Sequence, residues 1–112
     1  MKSTGLSTWI QFLSLVLQML VELIQVTMRD KNYQLKSVYV NPQQIIFMSE
    51  DLRMKQELQE GNIKLGLNQT FTNFTRIRMN MAGYVEEIIV VGDPGLIESK
   101  IYNKTSRQLL RG

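Results

Sequence analysis

Residues 75–91 read TRIRMNMAGYVEEIIVV, and this stretch decides the fold. Thr75, Ile77, Met79 and Met81 recur at every second position with Arg76, Arg78 and Asn80 between them. That is the period of a strand with one apolar face. Ala82-Gly83 predicts a tight turn, and Tyr84 to Val91 the returning strand. The block Ile88-Ile89-Val90-Val91 is apolar on both faces. Such a strand belongs in the middle of a sheet that is covered on both sides.

Upstream, Glu22, Ile24, Val26 and Met28 alternate with Leu23, Gln25, Thr27 and Arg29, which reads as a strand with one apolar face. Asp30-Lys31-Asn32 is a turn cluster. Gln34 to Val40 follows, with Val38 and Val40 on one face and Leu35, Ser37 and Tyr39 on the other, so the pair reads as a hairpin. Pro42 cannot donate to a ladder and ends the second strand at Asn41. Ile45-Ile46-Phe47-Met48 resumes the sheet. Ser49 is expected to cap a short helix from Glu50 to Glu60, stopped by Gly61, with Asp51/Lys55 and Arg53/Glu57 as i,i+4 pairs. Only Leu52, Met54 and Leu58 of that helix are apolar. A polar, Thr- and Asn-rich connection runs from Asn62 to Asn73. Downstream of the decisive hairpin, Asp93 caps a closing helix, Pro94 takes its first position, and Leu96, Ile97 and Ile101 give it an inner face.

Residues 3–21 carry no charge. Within 6–20, Ser7, Gln11, Ser14 and Gln18 draw one polar stripe, the mark of an amphipathic helix rather than of a membrane span. Val21-Glu22-Leu23-Ile24 offers no small-residue cleavage site after the apolar run. A signal or anchor segment, or a start at Met19, are the alternatives. The helix is expected to cover the second face of the sheet, and Leu13, Val16, Leu17 and Leu20 to bury there or between subunits. The fold class expected is therefore α+β in a single domain, 1–112. It comprises a long N-terminal amphipathic helix over 6–20 and about five antiparallel strands within 21–102. A segment 50–73 is inserted in the sheet, and a short C-terminal helix and a basic tail over 103–112 complete the chain.

Composition narrows the chemistry. The chain has 112 residues, 44% of them hydrophobic and 21% charged, which is ordinary for one globular domain. It contains no cysteine and no histidine. Disulfide frameworks, thiolate zinc sites, cysteine nucleophiles and imidazole acid–base chemistry are thereby excluded. The net charge is +3, but Lys100, Lys104, Arg107 and Arg111 fall in the last thirteen residues, which contain no acid. The other nine basic residues face ten acids, so residues 1–99 carry −1. A basic coat of the kind that grips duplex DNA is not indicated.

Enzymatic constellations are sparse. Glu86 and Glu87 are adjacent and point to opposite faces of a strand, so they form no dyad. Gly92-Asp93-Pro94-Gly95 lacks the spacing and lysine of a phosphate loop, and Glu50-Asp51 reads as a solvated helix start. Neither a catalytic site, a metal site nor a cofactor is expected. Asn68, Asn73 and Asn103 open Asn-x-Thr tripeptides, which matter only in a eukaryotic secretory protein.

The basic residues carry more. Arg76 and Arg78 share one strand face, where planar guanidinium forks suit an anion, and a solvated sheet face is the plainer explanation. Lys100, Lys104, Arg107 and Arg111 form a stripe on a helical tail, which also suits the negative end of a helix dipole. Tyr84 and Tyr102 would supply stacking surfaces beside them. The ligand-binding residues expected are Arg76, Arg78, Tyr84, Lys104, Arg107 and Arg111, meeting one anionic ligand from strand and tail.

At Val40-Asn41-Pro42 followed by Ile45-Ile46, and at Thr75-x-Ile77 with the Gly83 turn and Val90-Val91, the chain resembles the flagellar FlbD-like family. The resemblance runs from Ile24 to Ile101, interrupted by the 24 residues Glu50 to Asn73, and implies a small β fold and a flagellar role. A compact β protein with Arg107 and Arg111 near its end also resembles the phage-encoded Thoeris anti-defence sponges. That likeness implies oligomeric pockets for cyclic nucleotides, with the two arginines as phosphate contacts.

Together these features lead us to expect a non-enzymatic, homo-oligomeric binding or assembly protein of phage or bacterial type, in the cytoplasm of the cell or host. It would take a nucleotide-like anion. Virion or flagellar assembly is an alternative role. Another is attachment to a membrane surface through 6–20, with Trp9 and Phe12 as anchors and the tail cations against anionic lipid.

Overall fold

A computed structural model describes residues 10–11 and 19–111, with side chains as far as Lys104. Five strands form one antiparallel sheet: β1 (Val21–Arg29), β2 (Asn32–Val40), β3 (Ile45–Glu50), β4 (Phe74–Met81) and β5 (Tyr84–Val91), in the order β2-β1-β5-β4-β3. Helix α1 (Leu52–Gln59) joins β3 to β4, and helix α2 (Pro94–Arg111) follows β5. The doubly apolar strand β5 is the central one.

Two tight turns fix most of the register. Asp30 and Lys31 both have positive φ, 51° and 68°, the signature of a two-residue hairpin turn with Arg29 opposite Asn32. Ala82-Gly83 places Met81 opposite Tyr84, with Gly83 at φ 95°. The remaining connection shapes the sheet. In a flat five-stranded sheet the two edges would stand roughly 19 Å apart. Val40 and Ile45 are joined only by Asn41 and the 3-10 turn Pro42–Gln44, closed by the Gln44 N–H on the Asn41 carbonyl at 3.0 Å. A chain folded in this way reaches roughly 14 Å. The sheet therefore curls until β2 and β3 approach at that corner.

The concave face gathers residues from all five strands. Val21, Leu23, Val40, Ile77, Met79, Ile88 and Val90 are buried there, and Ile45 and Met48 pack beside them. Ile97 of α2 closes this core, fully buried, with Ile101 a turn later. On the other face Val26, Phe74, Ile89 and Val91 pack under Met54 and Leu58 of α1 and under Ile63, Leu65 and Leu67 of the following loop. The segment 50–73 is thus the cover of the second face. The Thr75 hydroxyl donates to the Gly92 carbonyl at 2.7 Å and ties the start of β4 to the end of β5.

Several expectations are corrected. The long helix stands at the C-terminus: α2 has eighteen residues, α1 has eight, and no long N-terminal helix is among the described elements. Most of 6–20, including Leu13, Val16 and Leu17, lies outside the described residues. The covering role assigned to that segment falls to α2 and α1. The C-terminal helix is not short, because no glycine or proline follows Gly95 before Gly112, and the expected tail 103–112 continues it to Arg111. Ser49 does not cap α1. It pairs with Arg76 inside β3, and Asp51 is the cap, its carboxylate accepting from the Met54 N–H at 3.0 Å. In β1 the deepest residue is Leu23, whereas Ile24 is 43% exposed and Met28 is 66% exposed. Leu96 is 47% exposed and does not belong to the inner face of α2.

Candidate functional site

The most built arrangement of charge lies on the α1 side of the sheet. Arg76 and Arg78 project from the same face of β4, next to Glu87 of β5 and below Asp51 at the start of α1. Arg76 Nη2 donates to Asp51 Oδ2 at 3.2 Å, while Asp51 Oδ1 holds the helix cap. Arg76 Nε lies 3.4 Å from Glu87 Oε1, off line for a hydrogen bond, and Arg78 Nη2 lies 3.6 Å from Glu87 Oε2. Arg78 also stacks over the Phe47 ring, 5.2 Å from its centroid. Two arginines are therefore answered by two carboxylates. Of these four groups only Asp51 is buried, with a side chain 2% exposed.

Beside this network runs a groove of about 300 Å³, lined by Tyr33, Asp51, Arg53, Met54, Glu57, Arg76 and Ile89. Its two arginines and two acids balance. The expected i,i+4 pairs of α1 are not among the ion pairs of the described residues. Asp51 turns to Arg76 instead of Lys55, and Arg53 is exposed at the groove that Glu57 also lines. Among the described residues no group of three or more acids stands close enough to hold a metal ion.

The remaining expected residues lie elsewhere. Tyr84 opens β5 on the face opposite Arg76 and Arg78, pairs with Met81, and is 60% exposed. Lys104 is exposed on α2, where it lines a cleft of about 270 Å³ with Leu20, Val21, Glu22, Lys100 and Asn103. Arg107 and Arg111 lie within the helical span of α2, their side chains outside the described part. Because α2 packs on the concave face, the sheet stands between Lys104 and the β4 arginines. Within one chain Lys104 and the β4 arginines do not converge on a single ligand.

Glu87 was absent from the residues expected at a site, although its partner was legible. A turn at Ala82-Gly83 sets Arg78 directly opposite Glu87. Asp51 meets Arg76 across the α1–β4 junction, a contact without a local sequence signal.

A third feature is apolar. On the α1 side of the β1–β2 ribbon, the opposed pairs are Glu22/Tyr39, Ile24/Ser37, Val26/Leu35 and Met28/Tyr33. Within it Ile24, Met28, Leu35 and Tyr39 are exposed, the last at 66%. Among the described residues no helix is long and apolar enough to cross a membrane. Comparisons with protein-family models, curated proteins and solved structures give no match, so the site is read from its own geometry.

Proposed function

We propose that the chain is a non-enzymatic, homo-oligomeric binding or assembly protein. One observation carries this reading: the β1–β2 ribbon leaves Ile24, Met28, Leu35 and Tyr39 exposed on one face, on adjacent strands in register. Single exposed apolar side chains are ordinary, but a contiguous group on one ribbon marks a surface that meets a partner. The polar groove supports the same view. Beside it Arg76 and Arg78 are committed to Asp51 and Glu87, which suits a structural brace between α1, β4 and β5 better than a reaction centre.

Sedimentation velocity across the micromolar range tests the proposal. A mass at least twice that of the chain is expected, and a monomer at every concentration overturns it. Virion or flagellar assembly in a host or bacterial cytoplasm would be one use of such a surface. Capture of a nucleotide-like anion is a separate proposal. It rests on the α2 cations, because Lys100 and Lys104 line one cleft while Arg76 and Arg78 already face carboxylates. A thermal shift with cyclic nucleotides, lost in Lys104→Ala, would support it. No shift with any nucleotide would remove it.

A further inference from the structure

Strand β2 is an edge of the sheet over nine residues. Its turn determines which of its main-chain groups are left outside. In a two-residue hairpin the flanking residues, here Arg29 and Asn32, form a hydrogen-bonded pair, and pairs alternate from there. Thr27/Gln34, Gln25/Lys36, Leu23/Val38 and Val21/Val40 are then the bonded pairs. The N–H and C=O groups of Gln34, Lys36, Val38 and Val40 point at β1. Those of Tyr33, Leu35, Ser37 and Tyr39 point away from the sheet.

From this edge we infer that a second copy of the chain pairs antiparallel along β2, about a two-fold axis through Ser37, to make one continuous ten-stranded sheet. The inference rests on the homo-oligomer reading above and names its surface. A two-fold pairing must set outward residues opposite outward residues, which leaves few registers. One centred on Lys36 would oppose two ammonium groups directly, in the closer kind of pair, about 4.5 Å between Cα atoms. A lysine on an edge often serves to prevent pairing. Moved by one residue, the axis passes through Ser37, and each Lys36 faces a Val38 of the other copy.

The same register gives two of the exposed side chains a partner. Leu35 lies opposite Tyr39 of the other copy, twice by symmetry, and both belong to the face on which they are exposed. The row through the axis runs Ile24, Ser37, and then the same two residues of the second copy in reverse. At its centre are two small hydroxyls, each donating to its own Glu22 at 3.0 Å, so nothing bulky obstructs the approach.

The absence of cysteine makes the test clean. In this register the two Ser37 Cα atoms stand about 5.5 Å apart, within reach of a short bifunctional thiol reagent. The two Gln34 Cα atoms stand about 20 Å apart. Ser37→Cys in the full chain should be joined by a bis-maleimide of about 8 Å span into a covalent dimer at concentrations where sedimentation reports the oligomer, with circular dichroism confirming the fold. Gln34→Cys should not. An oligomer in which Ser37→Cys fails to cross-link, or Gln34→Cys cross-links as fast, overturns this register and leaves the homo-oligomer standing. A monomer throughout overturns both. Ser37→Pro gives a second measurement: it deletes an outward N–H and no main-chain bond to β1, and Ser37→Ala controls for the lost hydroxyl bond to Glu22. Folded Ser37→Pro should sediment as a monomer while Ser37→Ala sediments as the parent does, and an unchanged oligomer in folded Ser37→Pro contradicts the pairing.

Discussion

Asp51 and Arg76 lie 25 residues apart and meet at 3.2 Å, joining the first turn of α1 to β4. The carboxylate is buried and doubly used, one oxygen on the helix cap and one on the guanidinium. Asp51→Ala removes both functions. A lost cap costs about 1 kcal/mol and a charged hydrogen bond about 1.5–3 kcal/mol, the latter reduced here because Arg76 is part-exposed. Urea denaturation should show a loss of about 2–3 kcal/mol. Asp51→Asn keeps the capping oxygen and should lose about half as much. Equal losses would mean that the cap contributes nothing.

The β1–β2 turn carries strain that glycine would relieve. Lys31 sits at φ 68°, a conformation that costs a residue with a Cβ about 1–2 kcal/mol. Glycine avoids that cost but loses about 0.5–1 kcal/mol of chain entropy. Lys31→Gly should therefore stabilise the protein by about 0.5–1 kcal/mol in chemical denaturation, and Lys31→Ala should not. Destabilisation by the glycine would contradict the turn geometry on which the edge assignment of β2 depends.

Helix α2 is held to the sheet through one side. Ile97 is fully buried in the concave core, whereas Leu96 next to it is 47% exposed. Ile97→Ala should cost about 2–5 kcal/mol and Leu96→Ala about 0.5 kcal/mol or less, by equilibrium unfolding. Similar costs at the two positions would mean that α2 does not close the core as described.

What was legible in the chain was local. The period-two runs, the Asp30-Lys31 and Ala82-Gly83 turns and the doubly apolar Ile88 to Val91 were enough to place five strands and the central one. Asp93 was legible as a cap, and its carboxylate accepts from the Leu96 N–H at 2.7 Å. The cover was not legible, because among the described residues α1 and α2 each bury only one or two side chains deeply, and periodicity alone cannot say which face they meet. Ser49 and Asp51 are both good caps, and only the β3–β4 ladder, which runs on to Glu50, decides between them. The candidate site divided in the same way. Spacing alone puts Arg76 and Arg78 on one face, but their partners come from α1 and β5, and the sheet that separates them from Lys104 has no signature in sequence spacing.

Amide hydrogen exchange resolved along β2 tests the assembly most directly. The amides of Gln34, Lys36 and Val38 bond to β1 and should be protected at any concentration. Those of Leu35, Ser37 and Tyr39 point outward and should be protected only where a second copy pairs with them. The account predicts that protection of these three rises with protein concentration, in step with the oligomer seen by sedimentation, while the alternate three stay unchanged. Unprotected exchange at Leu35, Ser37 and Tyr39 in a fully oligomeric sample would contradict it.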